Sequence, residues 1–234
     1  TMDSDKQMTF TYQKETVVEP TTTVVNLKYK TTEENQEVKL MSWDTTIYNV
    51  TADGVNVRTP DFPQMEIKYT FPNSGEHVVT YEVKKGREQN AFNSRTFNGC
   101  DSLTSIEIPS GVTTIGENAF NECTSLSSIT IPNTVTSIGE SAFGSCTSLS
   151  DVTIESTTKL DYTDSFYSID SNAVLHVPRE LVDAYKADSS WTDAFGGGIV
   201  AIGETPTQLT VVNLKYKTTE VNQEVKLMSW YNNS

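Results

Sequence analysis

The sequence predicts a mainly β protein: an N-terminal β-sandwich, then a short solenoid of stacked repeats closed by a C-terminal cap helix. Three observations carry this reading. Residues 97–154 repeat with a period of 23. Residues 24–83 hold a series of short alternating segments separated by turn signals. Residues 178–202 break the repeat with a helix start, a tryptophan and a last apolar segment.

The period is visible residue by residue. Phe97, Phe120 and Phe143 are 23 apart, as are Cys100, Cys123 and Cys146, and Leu103, Leu126 and Leu149. Ile106, Ile129 and Val152 keep the spacing, and so do Ile108, Ile131 and Ile154. A fixed period in this range marks a solenoid. One repeat cannot stand alone: its roughly eight apolar side chains contribute at most about 16 kcal/mol on burial, while ordering its backbone costs about 1–2 kcal/mol per residue. Stacked repeats share hydrogen bonds and a continuous core. In L-x-x-I-x-I-P the two isoleucines point the same way, as a strand requires, and the proline ends it. V-x-x-I-G reads as a second short strand or extended turn, and E-x-A-F as a helical turn or tight corner. The register puts Leu103, Ile106 and Ile108 inward. The outward row is then Ser105, Glu107, Ser128, Thr130, Asp151, Thr153, Val174 and His176.

The motif F-x-x-C-x-S-L-x-x-I-x-I-P-x-x-V-x-x-I-G-x-x-A resembles the BspA-type leucine-rich repeat. The resemblance implies a secreted or cell-surface protein of a bacterium with a binding or adhesion role, recognising a protein or glycan partner. Counting forward 23, Ile154 maps to Val177 and Phe143 to Phe166, so residues 166–178 read as a fourth, atypical repeat with Ile169 at the cysteine position. Pro178 to Tyr185 reads as a helix start with Leu181, Val182 and Tyr185 on one face, and residues 199–202 as a closing strand. Solenoids of the family often end this way.

The sandwich rests on strand candidates at 24–30, 37–43, 46–51, 55–58, 65–71 and 77–83, with a further one at 7–12. Asp53-Gly54 is a hairpin signal, and Pro72 to Gly75 a turn. TFPNSGEHVVTYEV (70–83) resembles the last hairpin of immunoglobulin-like modules found beside such repeats. The resemblance implies an immunoglobulin-like sandwich. Counting back 23 from Ile106 reaches Val83, so the last sandwich strand is expected to run into the repeat sheet as its first rung, with residues 84–96 as a degenerate first repeat. The expected division is therefore 1–83 sandwich, 84–203 repeats with caps, and 204–234 a linker and the truncated start of a second sandwich. Residues 211–230 repeat residues 24–43 with one change, Glu34 becoming Val221. This second copy is expected to be either disordered or paired with a neighbouring chain, giving self-association; in an intact tandem protein it would begin the next module.

Charge and motifs bound the function. The 234 residues carry a net charge of −14, which repels nucleic acid. No apolar run approaches the roughly 20 residues of a membrane helix, so no membrane insertion is expected. No signal peptide is visible, and a chain starting at Thr1 reads as processed or as a fragment. The three cysteines share one repeat position and read as free, buried apolar groups. A zinc cluster needs histidine or further cysteine. Rungs about 4.8 Å apart would permit a disulfide, but equivalent side chains point in parallel. No nucleophile elbow, H-E-x-x-H or phosphate loop occurs. Gly196 to Gly198 is a turn, and His77 sits on a strand beside a turn. Asp161, Asp164 and Asp170 do not fit an EF-hand loop. They read as a solvated acidic loop, with calcium as the alternative. Trp43, Trp191 and Trp230 could stack on sugars, against core filling or cap packing for Trp43 and Trp191. Neither enzymatic activity nor a cofactor is expected. A passive spacer in a tandem array is the alternative to binding. A hydrolase would need a converging acid pair, which the sequence does not offer.

Overall fold

The computed structural model describes residues 22–42, 47–57, 66–84 and 92–206. The expected strand at 7–12, the linker at Pro20, Trp43, and the 211–230 copy with Trp230 lie outside the described residues.

Six strands match the N-terminal candidates: β1 (Thr22–Thr31), β2 (Gln36–Ser42), β3 (Ile47–Ala52), β4 (Val55–Asn56), β5 (Glu66–Phe71) and β6 (Gly75–Lys84). They form two layers. One sheet runs β4-β3-β6-β1 and continues into β7 (Leu103–Ile106) of the first repeat; the other is β2-β5. All their ladders are antiparallel. Alternation sorts the side chains: Val25, Leu27 and Tyr29 of β1 and Val79, Tyr81 and Val83 of β6 are buried, as are Val38, Leu40, Ile67 and Phe71 of the second sheet. Asp53 and Gly54 take φ of 47° and 77° at the β3–β4 turn, the two positive values that a tight hairpin requires.

Two expectations are corrected here. Residues 70–83 do not form a hairpin: β5 pairs with β2, whereas β6 pairs with β1 and β3. Phe71 and the inward residues of β6 both need the core, and crossing between layers at 72–74 lets Phe71 stack on His77, with centroids 3.9 Å apart. Nor does β6 become the first rung. Both its edges are taken by β1 and β3, so β7 pairs with the free edge of β1 instead, antiparallel, with Leu27 opposite Ile106.

Beyond β7 come β8 (Thr114–Ile115), β9 (Ser128–Ile131), β10 (Ser137–Ile138), β11 (Asp151–Ile154), β12 (Val174–Val177) and β13 (Gly198–Ala201). β9, β11, β12 and β13 form one parallel sheet, and β8 and β10 another. Ser128, Asp151 and Val174 are partners at 23-residue steps; the last step, Val174 to Gly198, takes 24. β7 shares no strand ladder with β9, so the stack of rungs expected from 97 onward begins its parallel sheet only at β9. Residues 92–96 do follow the repeat, with Phe92 standing at the position of Ile115 and its carbonyl accepting from the Gly116 amide at 2.7 Å.

Inside the coil, Phe97, Phe120, Phe143 and Phe166 stack in series at 5.1, 5.0 and 5.0 Å, with planes within 9° of parallel. Beside them, the Cys123 and Cys146 thiols donate to the Phe97 and Phe120 carbonyls, each at 3.1 Å. That explains a cysteine at this position: it fills a small apolar site and satisfies a buried carbonyl. The three cysteines are buried and free. Gly116 and Gly139 mark where successive turns touch, since a Cβ there would lie 2.4 and 2.5 Å from the backbone nitrogen of Ser94 and Glu117. The E-x-A-F corners are turns, with Asn118 and Ser141 at positive φ.

The C-terminal end is closed by a 3-10 turn (Arg179–Leu181), α1 (Val182–Lys186) and a second helix absent from the sequence reading, α2 (Ser189–Ala194). Asp188 starts α2 by accepting the Ser190 amide at 3.1 Å, the usual role of an N-cap carboxylate. Trp191 is fully buried and covers the end of the phenylalanine series, 5.9 Å from Phe166.

Candidate binding face

The outward row is set by strand alternation. Ile129, Ile131, Val152, Ile154, Leu175 and Val177 are buried, which turns the residues between them to solvent. Ser128, Asp151 and Val174 line up across three rungs, and Thr130, Thr153 and His176 line up beside them. These six form one contiguous patch with rungs about 4.8 Å apart. His176 Nε2 lies 3.3 Å from Asp151 Oδ2, an ion pair when the ring is protonated. Val200 of β13 is the partner of His176 and extends the row by one rung.

Ser105 and Glu107 are set apart from the six. β7 belongs to the sandwich sheet, so their lateral neighbours come from β1. Ser105 pairs with Lys28, and the Glu107 carboxylate accepts from Asn26 Nδ2 at 3.3 Å. Asn26 and Lys28 therefore extend the face and were missed by the sequence reading. Alternation alone places them outward; the pairing of β1 with β7 is what brings them to this face. Between β7 and β9 the break opens a recess of about 360 Å³. Its walls are Ser105, Glu107, Ser128, Thr130, Pro132 and Glu155, and its floor is Ile106, Ile108 and Ile129.

A second recess, of about 450 Å³, lies at the cap between Tyr162, Tyr167, Asp164, Asp170 and Asp193. Burial first, then the charges of Asp164 and Asp193, push the Tyr162 hydroxyl above its usual range. Asp161 does not line this recess. No group of three or more His, Cys, Asp or Glu residues is arranged to hold a metal among the described residues. Trp191 is buried among Tyr162, Tyr185, Phe166 and Phe195, so it is cap packing rather than a sugar platform.

One constellation has the order of a nucleophile–base–acid relay: Thr31 Oγ1 is 2.9 Å from His77 Nε2, and His77 Nδ1 is 2.7 Å from Asp53 Oδ2. Thr31 is 2 % exposed, and its hydroxyl also donates to the Asn73 carbonyl at 3.1 Å. The chain of bonds ties the end of β1 to the β3–β4 and β5–β6 turns. It offers no open nucleophile. The Cys100 thiol is likewise inert, pushed up to about 12 by burial.

No helix among the described residues is long and apolar enough to cross a membrane. None of the curated proteins matches the chain. Residues 90–186 match the family model of the BspA type leucine rich repeat region, in six copies.

Proposed function

We propose that the chain is a binding or adhesion module of the extracellular or cell-surface kind, of bacterial type, engaging a protein or glycan partner through the outward face of its repeat sheet. The family matched by residues 90–186 is generally associated with surface adhesion and protein binding. The observation that carries the reading is the patch of Ser128, Thr130, Asp151, Thr153, Val174 and His176, held in register on a rigid parallel ladder. Extended faces of this kind suit extended partners. In this reading residues 1–83 are an immunoglobulin-like sandwich, residues 84–203 a repeat solenoid and residues 204–234 a linker with a second sandwich start. The module binds rather than catalyses, without cofactor, nucleic acid or membrane insertion.

The test is a screen of the immobilised chain against glycans and extracellular-matrix proteins, repeated with Asp151→Lys and Thr153→Lys combined. The expected result is a partner lost on this double change. Binding unaffected by it would refute the face.

The near-identity of 211–230 with 24–43 favours a second reading, a passive spacer unit in a tandem array, and separately offers a route to self-association through the second copy. The site for which Val212, Leu214, Tyr216 and Leu227 are shaped is filled here by residues 24–42 of the same chain.

A further inference from the structure

We propose that the recess between β7 and β9 receives a lysine or arginine side chain of a partner protein, with its aliphatic stem on the isoleucine floor and its cation between Glu107 and Glu155. This rests on the binding-face reading above and gives that face a ligand chemistry. Three observations converge. The first is the break itself: β7 is drawn to β1, so the β7–β9 junction is the point in the stack where the strand ladder is interrupted. The second is what the break uncovers. Ile106 and Ile108 are 8 % and 7 % exposed, whereas their repeat equivalents are more covered, Ile129 at 3 % and Val152, Ile131 and Ile154 at 0 %. The third is charge. Glu107 and Glu155 both stand on the wall of the recess, which contains no cationic residue, and neither makes an ion pair among the described residues. The Asn26 amide donates to the Glu107 carboxylate at 3.3 Å.

An apolar floor under an acidic rim matches an amphipathic cation, whose stem lies on apolar surface while its head reaches the charge. A volume of about 360 Å³ holds one such side chain with room for water. A neutral sugar would gain only hydrogen bonds from Glu107 and Glu155, whereas a cation also gains their charge. The structure therefore favours a basic protein segment over a glycan at this point of the face.

The test uses the full chain, isotopically labelled for amide NMR. The probes are a blocked glycine–lysine–glycine peptide, its arginine counterpart, its Nε-acetyl-lysine counterpart and a neutral N-acetylhexosamine disaccharide. The two cationic peptides should move the amide signals of Glu107, Thr130 and Glu155 at millimolar concentration, at least roughly tenfold more tightly than the acetylated one. Thr130→Trp, which fills the recess from an exposed position, and Glu155→Gln should each weaken this at least roughly fivefold, with the remaining spectrum unchanged. Equal binding of the acetylated peptide, shifts centred on the cap recess, shifts from the disaccharide alone, or no shifts at all would overturn the proposal. A partner found by screening that depends on Asp151 and Thr153, with no effect of lysine at the recess, would sink this inference and leave the broader one standing. Lysine binding at the recess without any screened partner would do the reverse.

Discussion

Replacing Phe120 by Leu tests whether the aromatic series, rather than apolar burial in general, holds the repeats in register. Phe120 is flanked by Phe97 at 5.1 Å and Phe143 at 5.0 Å, both nearly parallel. Each such pair contributes about 0.5–1.5 kcal/mol beyond area burial, so two pairs amount to about 1–3 kcal/mol. The apolar exchange itself adds less than about 1.5 kcal/mol. The expected loss of about 1–4 kcal/mol is a large part of an ordinary domain's stability of about 5–15 kcal/mol. Urea denaturation followed by circular dichroism measures it. The double change Phe120→Leu with Phe143→Leu sharpens the test. Counting the tilted Phe92 at 5.7 Å, Phe120→Leu removes three ring pairs and Phe143→Leu two, and the double removes four because the 120–143 pair is shared. The double loss should therefore fall short of the sum by one pair, about 0.5–1.5 kcal/mol. Strict additivity, or a single-change loss below about 1 kcal/mol, would refute the reasoning.

Further outcomes are expected. Gly139→Ala puts a Cβ 2.5 Å from the Glu117 nitrogen and 2.7 Å from the Gly116 carbonyl carbon; overpacking of this kind costs about 1–3 kcal/mol, and an unchanged melting temperature would show that the rungs can separate freely. The thiols should react with a disulfide reagent only after unfolding, three per chain. Burial raises Cys100 to about 12 and Cys123 in the same direction, so the unfolded state loses these protons first. The Cys100 contribution is whole below about pH 9 and is lost as pH climbs toward 12, by about 1.4 kcal/mol per unit, and Cys123 acts in the same direction; a urea midpoint equal at pH 8 and pH 10.5 would contradict it. Light scattering on the full chain and on a chain lacking residues 205–234 tests the tail: a mass rising with concentration only in the full chain supports self-association, and equal monomeric masses dismiss it.

What could be read from the sequence follows from which interactions are local or repeated. The phenylalanine, cysteine and isoleucine positions were legible because each repeat meets the same neighbour, so one alignment states the packing of all. Six of the eight outward residues share one sheet for the same reason. Ser105 and Glu107 do not, because their sheet depends on which edge was free after β3, β6 and β1 had paired. Edge availability is a property of the assembled sandwich and leaves no periodic mark. The same holds for the crossing at 72–74, where a turn signal was read correctly but cannot say whether the chain re-enters its own layer or the opposite one. Helix α2 was legible in part: Asp188 before Ser189 and Ser190 is an N-cap pattern, but its six residues are too few for periodicity to register.

The junction explains why the candidate site lies where it does. Cys123 and Cys146 each donate to a carbonyl 26 residues back, and for Cys100 that position falls among the N-terminal strands. Leu40 supplies the acceptor instead: the β2 ladder skips this residue, passing from Lys39 to Met41, and its carbonyl accepts from Cys100 at 3.3 Å and from the Tyr29 hydroxyl. A bulge frees such a group from its ladder. Backbone bonds from Ser42 to Thr96, Lys30 to Ser102 and Glu107 to Asn26 complete the seal at 2.7, 2.9 and 3.1 Å. The two N-terminal sheets thus close the start of the repeats. A cap made from an antiparallel strand cannot also hold β7 in a parallel 23-residue ladder, so the sheet parts between β7 and β9, uncovering the isoleucines there. Cap and recess have one cause. Residues 211–230 repeat the sequence of residues 24–43, with Leu227 in the place of Leu40.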